Sequence, residues 1–299
     1  MTTPHITICL CTFRRPQLLQ ATLESLQSLD TGSGSFTYSI TVADNDAAGS
    51  ARTTVEAFAA RSGLAVAYAI EPRQNISLAR NLAASLATGE LVAWLDDDEC
   101  PTPGWLLHLY RTLCSSDAAG VLGPVAPVFR ANPPAWITQG RFFHKPRRKT
   151  GMILNWHQTS TANVLLRRSL LQDPDPAFRE EFGSGCEDLD FFKRMTQRGH
   201  TFVWCDEALV SEIVPPTRWH ARYLFRRALL RGRNGARLSG SREFAKALVA
   251  IPIYSVLIPL LAPFGKQHAV RFLMKWGDHV GLLIGLFRLP LLGKHYLAG

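Results

Sequence analysis

The sequence predicts a doubly wound α/β fold, with a mostly parallel sheet between flanking helices and a separate helical region at the C-terminus. Strand-like and helix-like segments alternate through residues 5–116, which is typical of parallel strands joined by crossover helices. Polar residues follow the predicted strands at their carboxyl ends. Near its end the chain has an arginine-rich segment, residues 218–237, followed by an uncharged apolar segment, residues 247–264. These observations predict two domains, residues 1–216 and residues 217–299.

Four short segments of the first domain are predicted to be strands. Each is dominated by β-branched and apolar residues, and polar or glycine-containing sequence bounds it. The last of them, ELVAWL, ends directly before a run of acids. The predicted strands cover residues 5–12, 38–44, 64–70 and 90–95.

The segments that follow these strands have helical spacing. Leu19, Leu23 and Leu26, for example, lie on one face of the first segment. Gly63 and Gly89 stand where the second and third helices are expected to end, because glycine readily adopts the left-handed conformation found at helix C-termini. The predicted helices cover residues 15–29, 50–63, 76–89 and 104–116.

Residues 120–216 are less regular and are expected to complete the sheet. Residues 120–129 have strand character interrupted by prolines, and residues 160–171 are expected to return to the sheet. Residues 132–151 predict a long, basic and aromatic loop, and loops of this length are usually functional or disordered. Residues 182–199 begin with glycines and acids, then continue as a helix that glycine closes.

The acidic run Asp96–Glu99 follows the fourth predicted strand. Ligands bind beyond the carboxyl ends of the strands in open α/β sheets. Adjacent carboxylates ionise together only at a cost unless a cation lies near them. The run therefore predicts a divalent ion, Mg²⁺ or Mn²⁺, held by one or two carboxylates together with substrate phosphates. The alternative is an ordinary solvated acidic turn.

Five segments resemble motifs of the family 2 glycosyltransferases, which have the GT-A fold. They occur in the family's order across residues 5–232, and the set is far more specific than any one segment. NISLARNLAASLATGELVAWLDDD contains the counterpart of the family's D-x-D region, and GCEDLDFFKRM resembles its E-D motif. The last segment is similar to members that build bacterial surface polysaccharides. The other segments are ICLCTFRRP, VADND and EIVPPTRWHARYLFRRALLRG.

The resemblance implies a GT-A fold, Rossmann-like, and a role in donor binding for several residues at the strand ends. Thr12 and Phe13 are expected to line the pocket of the nucleotide base. Arg15 and Arg80 are expected to contact the base or the diphosphate. Asp44 is expected to accept a hydrogen bond from the base.

The same resemblance assigns the acids of the two acidic motifs. Asp96 is expected to hold the ribose side of the donor, and Asp98 the metal ion that bridges the diphosphate. Because three aspartates are consecutive, Asp97 can take either role. Asp188 is expected to be the general base that takes the proton of the acceptor hydroxyl, and Glu187 to support it. A metal-binding acid and a separate general base suit sugar transfer, since a cation stabilises a diphosphate leaving group and a carboxylate activates a hydroxyl nucleophile.

The net charge of +9 comes from the end of the chain, because residues 200–299 hold 14 basic and 5 acidic residues. Arg218, Arg222 and Arg226 share the spacing of one helix face. Residues 247–264 carry no charge but contain three prolines, which disfavour a straight helix. We expect the region to attach the chain to the cytoplasmic face of the plasma membrane, as a peripheral or monotopic protein. A membrane span and a soluble helical cap are the alternatives.

The six cysteines include no C-x-x-C pair, and the apolar run at the N-terminus is too short for a signal peptide. Both observations predict free thiols and a cytosolic catalytic domain.

Three function classes fit the sequence. The first is an inverting, metal-dependent glycosyltransferase with a nucleotide-sugar donor, a UDP-sugar being favoured, and a lipid-linked or saccharide acceptor near the membrane. The others are a nucleotidyltransferase and a basic binding protein on an α/β scaffold. Nucleic acid is not expected as a partner, because no RRM, KH or helix-turn-helix signature accompanies the basic residues.

Overall fold

The protein, described by a computed structural model at residues 3–173 and 176–289, contains a seven-stranded sheet and a second sheet of three strands. The larger sheet confirms the predicted mostly parallel α/β architecture. The strands are β1 His5–Thr12, β2 Thr37–Asp44, β3 Val66–Ile70, β4 Leu91–Asp96, β5 Glu99–Pro101, β6 Gly120–Leu122, β7 Val125–Val128, β8 Val164–Arg167, β9 Phe202–Trp204 and β10 Val210–Ile213.

The strand order of the larger sheet is β3-β2-β1-β4-β8-β6-β9. The first four strands of this order are mutually parallel, whereas β8 is antiparallel to both of its neighbours. The smaller sheet has the order β5-β10-β7. Residues 120–129, predicted as one strand, are therefore divided between the two sheets as β6 and β7. Pro124 falls between them and cannot donate to a strand ladder.

Helices cover both faces of the larger sheet. Ile6, Ile8 and Leu10 of β1 pack in one apolar cluster with the first, second and fourth helices, while Cys9 belongs to a cluster on the opposite face. This alternation is the period of two expected for a strand buried on both sides. The helices are α1 Pro16–Leu26, α2 Arg52–Ser62, α3 Ile76–Ser85, α4 Trp105–Cys114, α5 Ala135–Gly140, α6 Glu187–Gln197, α7 Ala221–Gly235, α8 Ser241–Leu261 and α9 Lys266–Leu286.

The described chain divides into two compact units. The first contains the chain up to Val128 with residues 145–183 and 187–213. The second contains residues 129–144, residues 184–186 and the chain from Val214 onward. The second unit thus draws two segments from sequence that precedes residue 217. Its apolar core includes Ile137, Phe143, Trp219, Leu224 and Val270.

Two helices of the second unit, α7 and α9, are in backbone contact. A β-carbon added at Gly281 would overlap the carbonyl oxygen of Leu229, and one added at Gly285 would overlap that of Arg233. Since 229 meets 281 and 233 meets 285, the two helices run in the same direction. Glycine at every fourth position of α9 is what permits this close approach.

Two expectations about the later elements are wrong in detail. Residues 132–151 are not one long loop, because α5 lies within them. Arg218 is not on a helical face with Arg222 and Arg226, since it lies in a separate 3-10 turn before α7 and is buried. The prolines at 252 and 259 lie within α8, on its exposed side, and whether they kink it stays a prediction. The sequence of residues 280–293 is also largely apolar, and its last part, 290–293, lies outside the described residues.

Candidate active site

The carboxyl ends of β1, β2 and β4 bring the predicted polar residues of the first unit together. Thr12 pairs with Asp44 in the register of β1 and β2, and Cys11 pairs with Asp96 in that of β1 and β4. The sheet order places β1 between the other two strands, so residues distant in sequence become neighbours. This is the edge at which an α/β sheet binds its ligands.

Arg15 supplies positive charge to the acidic run. Its Nη1 lies 3.2 Å from Oδ1 of Asp97 and 3.6 Å from Oδ2 of Asp98. The hydroxyl of Thr12 donates a 2.7 Å hydrogen bond to the other oxygen of Asp97. Burial raises the pKa of Asp97 to about 6, although the Arg15 charge opposes this shift. Asp97 is therefore fixed towards β1, and its side chain is held by Thr12 and Arg15.

Asp96 is the most accessible acid of the run. Its side chain is 42% exposed, compared with 6% for Asp97 and 7% for Asp98. Glu99 is buried, and its Oε2 accepts a hydrogen bond from the backbone N–H of Asp96 at 3.2 Å. Asp96 is thus the acid of this run best placed to meet a ligand directly.

Arg80 joins the two acidic motifs. Its Nε donates a 3.0 Å hydrogen bond to Oε1 of Glu187, and its Nη2 lies 3.6 Å from Oδ1 of Asp96. The guanidinium is 5.6 Å from the ring centroid of Trp94 and 6.0 Å from that of Phe178. The side chain is 9% exposed. A buried cation in this position compensates acids that come from β4 and α6.

Glu187 and Asp188 form the first turn of α6, where the positive end of the helix dipole favours carboxylates. Glu187 is buried, and Asp188 keeps partial access to solvent. Burial raises the pKa of Glu187 to about 7, against the opposing effect of Arg80. Burial also raises the pKa of Asp188, while Arg80 and a backbone hydrogen bond from Leu189 lower it. A carboxyl group with a raised pKa is suited to general-base chemistry near neutral pH.

The residues predicted to meet the nucleotide base lie at the ends of β1 and β2. Phe13 is half-buried, and the guanidinium of Arg14 lies 5.0 Å from its ring centroid. Asp44 is fully buried and accepts hydrogen bonds from the Tyr68 hydroxyl at 2.9 Å and the Ala51 N–H at 2.8 Å. Its carboxylate thus fixes the loop after β2, and direct contact with a base stays a prediction.

Two asparagines organise the loops around the site, and neither role was predicted from the sequence. The Asn45 side chain donates to the Arg73 carbonyl at 2.6 Å and accepts from the Asn75 N–H at 2.9 Å. The Asn75 side chain then caps α3 by accepting from the N–H groups of Ser77 and Leu78. An asparagine directly before a helix is a known N-cap signal. The Asn45 contacts carry no comparable sequence signal.

Other contributors come from distant segments. The Thr161 backbone forms a hydrogen bond that lowers the pKa of Asp188. Trp94 and Phe178 supply the aromatic surroundings of Arg80. These residues have no recognisable pattern in sequence, because their relation to the site depends on how β4 and the segments before and after β8 pack.

Within the described residues, no group of three or more histidine, cysteine, aspartate or glutamate side chains is arranged to hold a metal ion by itself. The arginines at positions 15 and 80 already neutralise part of the acidic run. The protein side of a metal site here would therefore be one or two carboxylates, with the remaining ligands from substrate and water. That donor set is common for Mg²⁺ in phosphate-binding enzymes.

The sequence matches known proteins over most of its length. The profile of the family described as "Glycosyl transferase family 2" matches residues 7–173. The chain is 37% identical over 238 residues to the succinoglycan biosynthesis protein ExoM of Rhizobium meliloti, a match that covers 79% of this chain and 75% of the relative.

Solved structures share the fold. One is the mannosyltransferase PcManGT from Pyrobaculum calidifontis, in complex with GDP-Man and Mn²⁺, with a TM-score of 0.66, 17% identity and coverage of 97% of this chain and 89% of that chain. Another is S. aureus TarS 1-349 in complex with UDP, with a TM-score of 0.56, 17% identity and coverage of 95% and 91%. The chain covers 55% of a longer S. aureus TarS chain.

Proposed function

Because the chain belongs to glycosyl transferase family 2, we propose that it transfers a sugar, with inversion, from a nucleotide-sugar donor to a saccharide acceptor during synthesis of a surface polysaccharide. The fold is GT-A and the protein is a transferase. Membership of this family separates it from the nucleotidyltransferases and from simple binding proteins. The identity of the donor and of the acceptor, the use of a metal ion and the location at a membrane are parts of the proposal.

The observation that carries the proposal is the contact of Arg80 with both acidic motifs. Donor binding and proton removal need two separate acids close to one another. Asp96 lies 3.6 Å from Nη2 of Arg80 and Glu187 lies 3.0 Å from its Nε, so the two motifs are held beside a single cation. Asp188, next to Glu187, then lies at the same edge of the sheet as the acidic run.

The proposed chemistry assigns each acid one task. Asp188 takes the proton of the acceptor hydroxyl, whose oxygen forms a bond to the anomeric carbon on the face opposite the leaving group. The bond from that carbon to the diphosphate oxygen breaks, and the nucleoside diphosphate leaves with the electron pair. Asp96 holds the ribose side of the donor, while Thr12 and Arg15 hold Asp97 in place.

Asp98 is the proposed protein ligand of a Mg²⁺ or Mn²⁺ ion. The chemistry of the donor set fits such an ion, because hard carboxylate oxygens stand at a strand end where a diphosphate can complete the coordination. When bound, the ion would stabilise the negative charge that develops on the diphosphate. The Mn²⁺ in the mannosyltransferase complex supports this part of the proposal.

A UDP-sugar is the favoured donor, since TarS structures contain UDP and UDP-GlcNAc, although the mannosyltransferase holds GDP-Man. The name of the Rhizobium relative supports a saccharide acceptor of a growing exopolysaccharide. We propose that this acceptor is lipid-linked or membrane-near and that the enzyme works at the cytoplasmic face of the plasma membrane. The basic and apolar character of α7 to α9 supports this location.

Calorimetric titration with UDP and GDP, each with and without Mn²⁺, tests donor binding. We expect UDP to bind in the presence of Mn²⁺, and Asp98→Ala to remove the Mn²⁺-dependent part. Asp117→Ala, which changes an exposed acid of the loop after α4, is the matched control and should bind as the parent does. Equal UDP–Mn²⁺ affinity in Asp98→Ala and the parent would exclude the metal role of Asp98.

A panel of sugar nucleotides then identifies the donor. Transfer to an acceptor extract, or slow hydrolysis of one donor, is the expected result. A protein that binds triphosphates better than sugar nucleotides and transfers no sugar would contradict the proposed reaction.

A further inference from the structure

The long apolar helix α8 has an exposed face along its whole length. The helical segment Ser241–Phe264 is long and apolar enough to cross a membrane, and only 6% of its apolar window is buried. The exposed face follows one side of the helix at intervals of three or four residues. Its large apolar members are Leu248, Val249, Ile253, Val256, Leu260 and Phe264.

The opposite side of α8 packs antiparallel on α9. Phe244 near the start of α8 contacts Phe287, whereas Tyr254 in its middle contacts Phe272 and His279. Trp276 also donates a 3.0 Å hydrogen bond to the Ser255 hydroxyl. The centre of α8 is therefore at the level of residues 272–279 of α9.

Charged residues lie at that same level. Arg271 and Lys275 of α9 are exposed, and Asp278 pairs with Arg231 of α7 at 2.7 Å. Arg226 of α7, five residues before Arg231, is also exposed. Arg271, Lys275 and Asp278 therefore lie on α9 at about the level of the middle of α8.

We infer that α8 lies in the plane of an anionic membrane surface, with its exposed face in the acyl region of one leaflet, and does not span the bilayer. A spanning α8 would carry its middle to the centre of the membrane. Because α8 and α9 are packed together, Arg271, Lys275 and Asp278 would enter the hydrocarbon with it, which is strongly unfavourable. A helix in the plane keeps the same charges at the level of the lipid headgroups.

The amphipathic unit is then the helix pair and not α8 alone. α8 is apolar on both sides, because one side contacts α9 and the other side contacts lipid. α9 and α7 supply the polar layer above it. Arg242 and Lys246 at the start of α8, with Lys266 at the start of α9, are exposed at the two ends of the apolar face. Cations at these positions match anionic headgroups.

This inference deepens the proposed function. It rests on that function only in that the enzyme acts at a membrane. It predicts that the full chain binds preformed vesicles of phosphatidylcholine and phosphatidylglycerol. Val249→Asp combined with Val256→Asp should weaken flotation with these vesicles by roughly tenfold or more, because two apolar side chains leave the acyl region. The matched control is Met152→Asp combined with Ile153→Asp, which changes two exposed apolar residues outside the second unit and should float as the parent does.

Topology is tested with a membrane-impermeant maleimide trapped inside the vesicles. Phe264→Cys should gain no label over the parent, because the end of α8 stays on the outer side. Gain of label from the lumen would show that α8 spans the membrane. Flotation equal to the parent in the α8 aspartate variant, or a parent that stays soluble and dimeric by light scattering, would overturn the inference as well. Donor affinity is measured on the same samples, so a failure of membrane binding and a failure of the proposed reaction are distinguished.

Discussion

Arg80 is a single side chain whose charge reaches two acidic motifs, and its effect should be visible in the pH dependence of transfer. Asp188 must be ionised to accept a proton, so transfer falls as the pH drops through its pKa, which burial has raised. Arg80 lowers the pKa of Glu187 and of Asp188. Arg80→Met should therefore raise both pKa values and move the acid limb of kcat to higher pH.

Two further variants separate this role from a purely structural one. Arg80→Lys keeps the charge and should recover most of the pH profile. Glu187→Gln combined with Arg80→Met removes the uncompensated buried acid and should recover folding, since breaking a buried ion pair costs about 3–5 kcal/mol. A profile that is lower at every pH but keeps the parent's acid limb would show that Arg80 only supports the fold.

Asp188 is the predicted general base, and its neutral isostere tests that role. Asp188→Asn should retain donor affinity while kcat falls by about 10²–10⁴, the usual contribution of general base catalysis. The measurement is single-turnover transfer together with calorimetry of the donor. Asp190→Asn is not a suitable comparison, because Asp190 holds Arg179 and Arg194; Asp173→Asn, with an exposed side chain, is the control. Near-normal turnover would remove Asp188 from the mechanism.

Some of these residues could be identified from sequence patterns and others could not. The acidic run and the E-D pair could be found because their types and order are distinctive. The Arg80–Glu187 contact could not be predicted, since the two residues are 107 apart in sequence and meet only after α3 and α6 have packed. The contacts of Asp97 could not be predicted from the sequence either. Its pairing with Thr12 and Arg15 follows from the β1–β4 register, which three consecutive aspartates do not specify.

At the scale of elements, the strongly periodic helices and strands were predictable and the shortest strands were not. α3 begins at Ile76 as expected, and β4 ends at Asp96, one residue later than expected. β5 and β10 have three and four residues, too few to show a period of two. Their pairing, with Glu99 opposite Glu212, depends on contacts between segments about a hundred residues apart.

The contact between α7 and α9 predicts a large difference between similar glycine substitutions. Gly281→Ala should destabilise the protein by about 1–3 kcal/mol, because the new methyl group overlaps the backbone of α7. Gly235→Ala, where an added β-carbon meets nothing within 4 Å, should be neutral or stabilising by up to about 1 kcal/mol through helix propensity. Chemical denaturation measures both changes. Equal stability of the two variants would mean that the helices are not in backbone contact.

At the scale of the whole molecule, the composition of the second unit predicts the outcome of truncation. A chain that ends at Pro216 keeps residues 129–144 but loses Trp219, Leu224 and Val270, with which Ile137 and Phe143 share a core. We expect this truncated chain to expose those side chains and to aggregate in size-exclusion chromatography. A chain lacking only residues 290–299 is the control. A monomeric truncated protein with full donor affinity would show that residues 129–144 fold without the C-terminal helices.

The distance along the chain between Arg80 and Glu187 has a consequence for biosynthesis. A ribosome that adds about 5–20 residues per second needs roughly 5–20 s to make the 107 residues between them. Until α6 is made, Asp96 is the acid of the two motifs that can balance the Arg80 guanidinium. The nascent chain therefore cannot close this side of the sheet until α6 arrives. Catalytic competence is acquired late, after most of the polypeptide has been translated.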